Sequence, residues 1–189
     1  MPIAKTGYWT TEDGKEHIHD ASLALSLVKF AKNTGYVHRP IAVADFGCGL
    51  GNYVWQLKKS GLDAVGYDGN PNTEALTKGN CKTLELAKDF DLKRQFDLVI
   101  SLEVGEHIPA EFESVFLQNI TKHCSRYLVL SWAIPGQDGI GHVNCKPNQY
   151  IIGKLAELGF TYESKWSGIL RNRSRLHWFK NTLMVFKRN

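Results

Sequence analysis

The chain has 189 residues, 43% of them hydrophobic and 22% charged, with a net charge of +4 at neutral pH. That length sustains a core without a metal or disulfide staple, and the balance of apolar and charged residues excludes disordered and fibrous classes. A charge this small permits a polyanionic partner without pointing to one.

No internal repeat or Pro/Ser-rich linker divides the chain. Ala21, Leu23, Ala24, Leu25, Leu27, Val28 and Ala31 recur at helical spacing, which predicts a helix over 20–32 with Asp20 as its N-cap and Gly35 as its stop. The apolar run 41–46, between Pro40 and Gly47, predicts a buried strand. A helix over 52–59 is expected to stop at Gly61, with a strand over 63–68 directly after it. A short helix over 72–78 and a short strand over 81–86 precede the plainest buried strand, 96–102. Pro109 suits the first position of an amphipathic helix over 110–123. Residues 127–132 read as another buried strand, and 148–158 as a helix stopped by Gly159. Residues 181–187 alternate like an edge or hairpin strand.

Strands alternating with helices imply right-handed crossovers and a mostly parallel, doubly wound α/β sheet. Ligands of such sheets bind outside the carboxyl ends of the strands, beside the first one. Cys48, Cys81, Cys124 and Cys145 form no CxxC pair, so reduced thiols in a cytoplasmic compartment are expected. The first residues carry no secretory-type apolar segment, and no apolar run reaches the ~18 residues that span a bilayer, so no membrane partner is expected.

The loop after the first strand reads Asp45-Phe46-Gly47-Cys48-Gly49-Leu50-Gly51. Its glycines permit a tight turn and close approach of a ligand to the backbone. They fall at alternate positions rather than in GxGxxG, and the loop opens with a carboxylate, which suits an amino group better than a pyrophosphate. Asp68 ends the second strand, where an acid accepts hydrogen bonds from ribose hydroxyls; Asp68-Gly69-Asn70-Pro71 is equally a strong turn sequence. Glu85 and Leu86 could meet an adenine edge, or Glu85 could be an exposed loop residue.

Residues 43–53, the acid at Asp68 and residues 96–109 resemble the successive motifs of class I S-adenosylmethionine-dependent methyltransferases, over roughly residues 41–135. The resemblance implies a Rossmann-like, seven-stranded sheet whose last strand is antiparallel. It implies one domain over 1–189, in which 1–40 form an N-terminal helix and lid segment and 41–189 the cofactor-binding core. Asp45, Gly47, Gly49 and Gly51 would then hold the methionine part of S-adenosylmethionine and Asp68 its ribose. Glu85, Leu86 and Ser101 complete the expected cofactor-binding set.

Ser101-Leu-Glu-Val-Gly-Glu-His-Ile-Pro follows the fourth strand. Glu103, Glu106 and His107 are spaced i, i+3, i+4, so one helical turn would gather them on one face as an acid/base centre. With His142 they are similar to the ligand set of ubiquinone-biosynthesis O-methyltransferases and small-RNA 3′-terminal 2′-O-methyltransferases. That likeness implies a divalent ion (Mg²⁺, Mn²⁺ or Zn²⁺) at Glu103, Glu106, His107 and His142 that activates an acceptor hydroxyl. In the alternative, the acids and histidine only shape the pocket or supply a base, and His142 caps the helix that follows.

His17 and His19 could approach the acceptor from an N-terminal flap, with Tyr8 and Trp9 as a lid or as packing on the sheet. Trp132 could line an acceptor pocket or fill the core. Arg171, Arg173, Arg175, His177 and Lys180 could contact phosphates or form a solvated helix face. The expected function is methyl transfer from S-adenosylmethionine to oxygen or nitrogen of a small molecule. The alternatives are a metal-dependent RNA 2′-O-methyltransferase, which would make nucleic acid the partner, and a non-catalytic S-adenosylmethionine-binding protein.

Overall fold

A computed structural model describes residues 3–34 and 39–189. Helix α1 (Ala21–Thr34) leads into β1 (Ala42–Phe46), α2 (Asn52–Lys59), β2 (Asp63–Asp68), α3 (Thr73–Leu76), β3 (Cys81–Thr83) and β4 (Phe96–Ser101). A 3₁₀ turn (Ala110–Phe112) opens onto α4 (Glu113–Lys122), and β5 (Cys124–Leu130), α5 (Asn148–Glu157), β6 (Phe160–Tyr162), α6 (Ser164–Arg173), α7 (Phe179–Thr182) and β7 (Met184–Arg188) follow. The seven strands form one sheet in the order β3-β2-β1-β4-β5-β7-β6. Strands β1 to β5 pair in parallel, and β7 runs antiparallel to both β5 and β6. This is the doubly wound sheet that the alternation of elements predicts, with the seven strands and the reversed last strand that the resemblance implies.

All five residues of β1 and all six of β4 are buried, because helices cover both faces of the sheet. One face packs Phe46, Phe96, Phe116, Ile151, Phe160 and Phe186 into a single cluster. The other packs Leu23, Leu27 and Phe30 of α1 and Val54 and Leu57 of α2 against Val43, Leu98 and Ile100. Among the described residues no helix is long and apolar enough to cross a membrane.

Several boundaries differ from the sequence expectation. β3 stops at Thr83, and β5 begins at Cys124 and ends before Trp132. β7 is not an edge strand: it is inserted between β5 and β6, and Met184, Val185 and Phe186 are buried in succession. β6, α6 and α7 went unrecognised because they are short, or carry only sparse apolar residues such as Trp166 and Leu170. The expected stop at Gly35 lies outside the described residues.

Asp20 acts as the N-cap of α1 and also ties the helix to the far end of the chain. Its Oδ1 accepts the Leu23 N–H (2.9 Å), while its Oδ2 accepts the Ser174 hydroxyl and the N–H groups of Arg175 (2.6 Å) and Leu176 (3.0 Å). Burial acts to raise its pKa, but these hydrogen bonds outweigh it and hold the carboxyl below its ordinary value of 3.8. A group with a depressed folded pKa stabilises fully above its unfolded value and loses that contribution as pH falls through the folded one. Asp20→Ala should therefore cost about 1.5–3 kcal/mol at pH 7, the worth of hydrogen bonds to a charged group. In denaturant titrations, the gap from the parent should narrow as pH drops below 3.8.

Candidate active site

Because β1 to β4 are parallel, the loops that follow them open on one edge of the sheet. A cavity of about 950 Å³ lies there, near the top of the roughly 300–1,000 Å³ range of small-ligand sites. Its wall includes Gly47 to Leu50 after β1, Asp68 and Gly69 after β2, Glu85 and Leu86 after β3, and Leu102 to Val104 with His107 after β4. Gln137 and His142 after β5, and Trp178 and Asn181 before β7, close the far side.

Short hydrogen bonds hold the loop after β1 in place. The N–H groups of Gly47 and Cys48 both donate to the Tyr67 carbonyl (2.7 and 3.1 Å), and the Gly49 N–H donates to Asp68 Oδ2 (2.9 Å). Gly47 has φ +84°, and a Cβ there would stand 2.2 Å from Val104 Cγ2, so only glycine lets the loops after β1 and β4 meet. Asp45 is buried with Oδ2 unpartnered, and burial, reinforced by the charges of Cys81 and Asp68, pushes its pKa well above the usual range. A carboxylate in that position calls for a cationic or hydrogen-bond-donating ligand.

Asp68 lines the cavity, and its Oδ1 accepts the Asn70 N–H (3.0 Å) as a turn aspartate. Glu85 accepts the Thr6 hydroxyl (2.9 Å) and Leu86 lines the wall beside it. Two residues of the expected cofactor set lie behind the wall. Gly51 packs toward Cys81, and Ser101 is fully buried with its hydroxyl donating to the Phe46 carbonyl (2.8 Å), a link between β4 and β1.

The acidic-histidine segment is not a helical turn. Glu103 has a left-handed backbone, φ +54°, and the chain then closes with His107 N–H donating to Val104 O (3.0 Å) and Ile108 N–H to Gly105 O (3.2 Å). That geometry gives the two neighbouring carboxylates different partners. Glu103 Oε2 accepts Gln137 Nε2–H (2.6 Å) and Oε1 accepts the Thr182 hydroxyl (3.4 Å), while the ligand atoms of Glu106, His107 and His142 gather within 4.8 Å of one another. Three members of the expected metal quartet converge, and Glu103 stands outside them as a residue of the cavity wall.

The three-residue cluster is made of acceptors. Both carboxylate oxygens of the buried Glu106 lack a hydrogen-bond partner. His107 Nδ1 faces the Gly141 carbonyl (3.2 Å) and His142 Nδ1 the Gln137 carbonyl (3.1 Å), which places a hydrogen on each Nδ1 and leaves each Nε2 a lone pair. Burial, with the charge of Glu103, raises the Glu106 pKa well above its usual range. Burial, followed by the charges of His142 and His17, lowers His107 to about 4 despite the favourable Gly141 carbonyl.

The N-terminal segment closes over this edge. Tyr8 packs on Gly69, and Trp9 stacks on His17 and meets His107 edge-on, each with ring centroids 5.2 Å apart. His19 packs on Tyr53, whose hydroxyl accepts the Asp20 N–H (3.2 Å). Tyr8, Trp9, His17 and His19 therefore line the cavity, whereas Trp132 fills the core and donates its Nε1–H to the Asn144 carbonyl (2.7 Å). Of the basic segment only His177 reaches the cavity wall, and Arg171 Nε–H donates to the Leu183 carbonyl (2.7 Å).

A methyltransferase domain family matches residues 17–132, more than half of the chain. The chain belongs to the methyltransferase domain family. No curated protein sequence matches it. Among solved structures, a sugar N-methyltransferase from Streptoalloteichus superposes with a TM-score of 0.70 at 17% identity, covering 100% of this chain and 99% of that one. Magnesium protoporphyrin IX methyltransferase from Synechocystis, crystallised with S-adenosylhomocysteine, gives 0.66 at 22% identity, covering 88% and 82%. The N-methyltransferase NodS from Bradyrhizobium japonicum, also in complex with S-adenosylhomocysteine, gives 0.63 at 15% identity, covering 87% and 85%. At these identities the likeness speaks to the fold.

In this methyltransferase the sequence patterns did not signal Gln137 and Thr182, which orient Glu103, or Tyr53 and Trp178. They reach the site from loops and helix ends whose placement only the fold determines. Gly7 was also missed. It has φ +100°, and a Cβ on it would meet the His107 carbonyl oxygen at 2.1 Å. Gly7→Ala should lift residues 3–10 off the site. Hydrogen exchange and limited proteolysis should show faster opening of this segment alone, with the melting of the sheet core little changed.

Proposed function

We propose that the protein transfers a methyl group from S-adenosylmethionine to oxygen or nitrogen of a small-molecule acceptor. The observation that carries this is the edge cavity itself. There a glycine loop, the unpartnered buried carboxylate of Asp45 and the acid Asp68 face one space in a chain of the methyltransferase domain family. Similar folds crystallised with S-adenosylhomocysteine support the choice of cofactor.

Asp45 takes the ammonium of the methionine portion, and the Gly47–Gly49 backbone lies against its carboxylate, with Gly51 setting the loop from behind. Asp68 holds the ribose hydroxyls, and Glu85 with Leu86 borders the adenine. When bound, the cofactor supplies a sulfonium methyl already activated by its positive charge, so the chain's task is alignment at about 3 Å. His107 Nε2, a neutral lone pair on the cavity wall, would accept a proton if the acceptor is a hydroxyl. Trp9 and Tyr8 keep water away from that point.

A second reading rests on the acceptor-only cluster. Glu106, His107 and His142 present oxygens and lone pairs with no donor among them, a set that a divalent ion satisfies. These three residues would hold it, and the ion would lower the pKa of a bound hydroxyl. Under this reading, purified protein carries a near-stoichiometric ion, which Glu106→Gln loses along with activity. Protein free of metal that is indifferent to chelators leaves His107 as the base.

For the cofactor, Asp68→Ala should weaken S-adenosylmethionine binding by about 1.5–3 kcal/mol, roughly tenfold to a hundredfold in Kd by calorimetry. An unchanged Kd in a folded variant removes the ribose assignment.

A further inference from the structure

The charge of the cavity wall runs opposite to that of the chain. The protein has 23 lysines and arginines and a net charge of +4. Yet among the described residues none of those cations lines the cavity, while Glu16, Asp45, Asp68, Glu85, Glu103 and Asp138 all do. Asp45, Asp68 and Glu85 belong to the cofactor end. Glu16, Glu103 and Asp138 are in excess of what that end uses, and they come from three separate segments: the N-terminal strap, the loop after β4 and the loop after β5.

Glu103 is positioned with particular care. Its backbone sits in the left-handed region that side-chain-bearing residues seldom adopt, and its carboxylate is held by Gln137 and Thr182. The same wall carries Trp178 and Trp9, one face of which is covered by His17; aromatic faces attract organic cations.

We infer that the acceptor is a small primary or secondary amine, recruited as its cation by Glu16, Glu103 and Asp138 alongside Trp9 and Trp178, and not an alcohol, a phosphate or a carboxylate. The inference rests on the cofactor reading given above. Anionic acceptors find no lysine or arginine among the described residues of this wall, only histidines, and several like charges. An alcohol must develop negative charge on oxygen as its proton leaves, beside Glu103, which opposes it.

An amine meets neither obstacle. Once the ammonium has given its proton to solvent on entering the cavity, the nitrogen lone pair forms the N–C bond as the C–S bond breaks, and the bonding pair stays on sulfur as a neutral thioether. The positive charge passes from sulfur to nitrogen without leaving the field of the carboxylates. The wall that attracts the substrate cation thus also accommodates the charge when it arrives on the product.

Three near-isosteric probes, benzylamine, benzyl alcohol and benzoate, test this by calorimetric titration into the protein saturated with S-adenosylhomocysteine. Benzylamine should bind at least tenfold more tightly than the alcohol, and benzoate should not bind. Glu16→Gln with Asp138→Asn should remove most of that preference while leaving the S-adenosylhomocysteine Kd unchanged. Equal binding of the three, binding of none, or a preference for benzoate or the alcohol overturns the inference and leaves the cofactor reading standing. Failure of S-adenosylhomocysteine itself to bind overturns the cofactor reading, and the amine inference with it.

Discussion

The site depends on β1 lying between β2 and β4 in parallel register, with Asp45 opposite Gly66 on one side and Ile100 on the other. Parallel pairing sends every following loop to the same edge. The Tyr67 carbonyl then accepts the N–H groups of Gly47 and Cys48, and Asp68 accepts that of Gly49, so the end of β2 fixes the loop that leaves β1. On the other flank Ser101 bonds the Phe46 carbonyl and delivers the chain into the turn that carries Glu103 to His107. A residue expected to touch the cofactor therefore serves as the joint that sets the distance between the two halves of the site.

The central sheet was legible in the sequence because its strands are continuous apolar runs punctuated by glycine and proline. β1, β2 and β4 fall where the pattern places them, and the Asp20 cap forms as its residue type suggests. Legibility fell off where tertiary contacts override the local pattern. β7 alternates in sequence yet buries three successive residues between β5 and β6. Spacing suggested one helical face for Glu103, Glu106 and His107, but Glu103 takes a left-handed conformation that no helix contains. Its partners Gln137 and Thr182 lie 34 and 79 residues away, beyond the reach of any local rule.

The two acids differ in their partners and still act on each other. The left-handed Glu103 is held by Gln137 and Thr182, yet its carboxylate stays close enough to raise the Glu106 pKa through its charge. Burial raises the Glu103 pKa as well. Around Glu106, buried acceptors gather, and both the raised carboxyl pKa and the lowered imidazole pKa express the same shortage of compensating charge. The neighbouring acids are suited to holding a proton or an ion, and Glu103 also reaches the cavity wall.

Net charge shows why composition was silent on this point. A value of +4 is a sum over the chain, and a sum carries no position. The fold sorts the charges: α2 and α4 end in lysine, which complements their helix dipoles away from the ligand edge. Carboxylates meanwhile cap strand ends and turns at the carboxyl edge, where the backbone N–H groups of the loops support them. The proposed transfer to an amine moves a positive charge rather than creating a negative one, so a wall of carboxylates is compatible with both its beginning and its end. In a doubly wound sheet, the edge that supplies N–H groups to anions can thus be converted to cation chemistry by the acids placed at the strand ends.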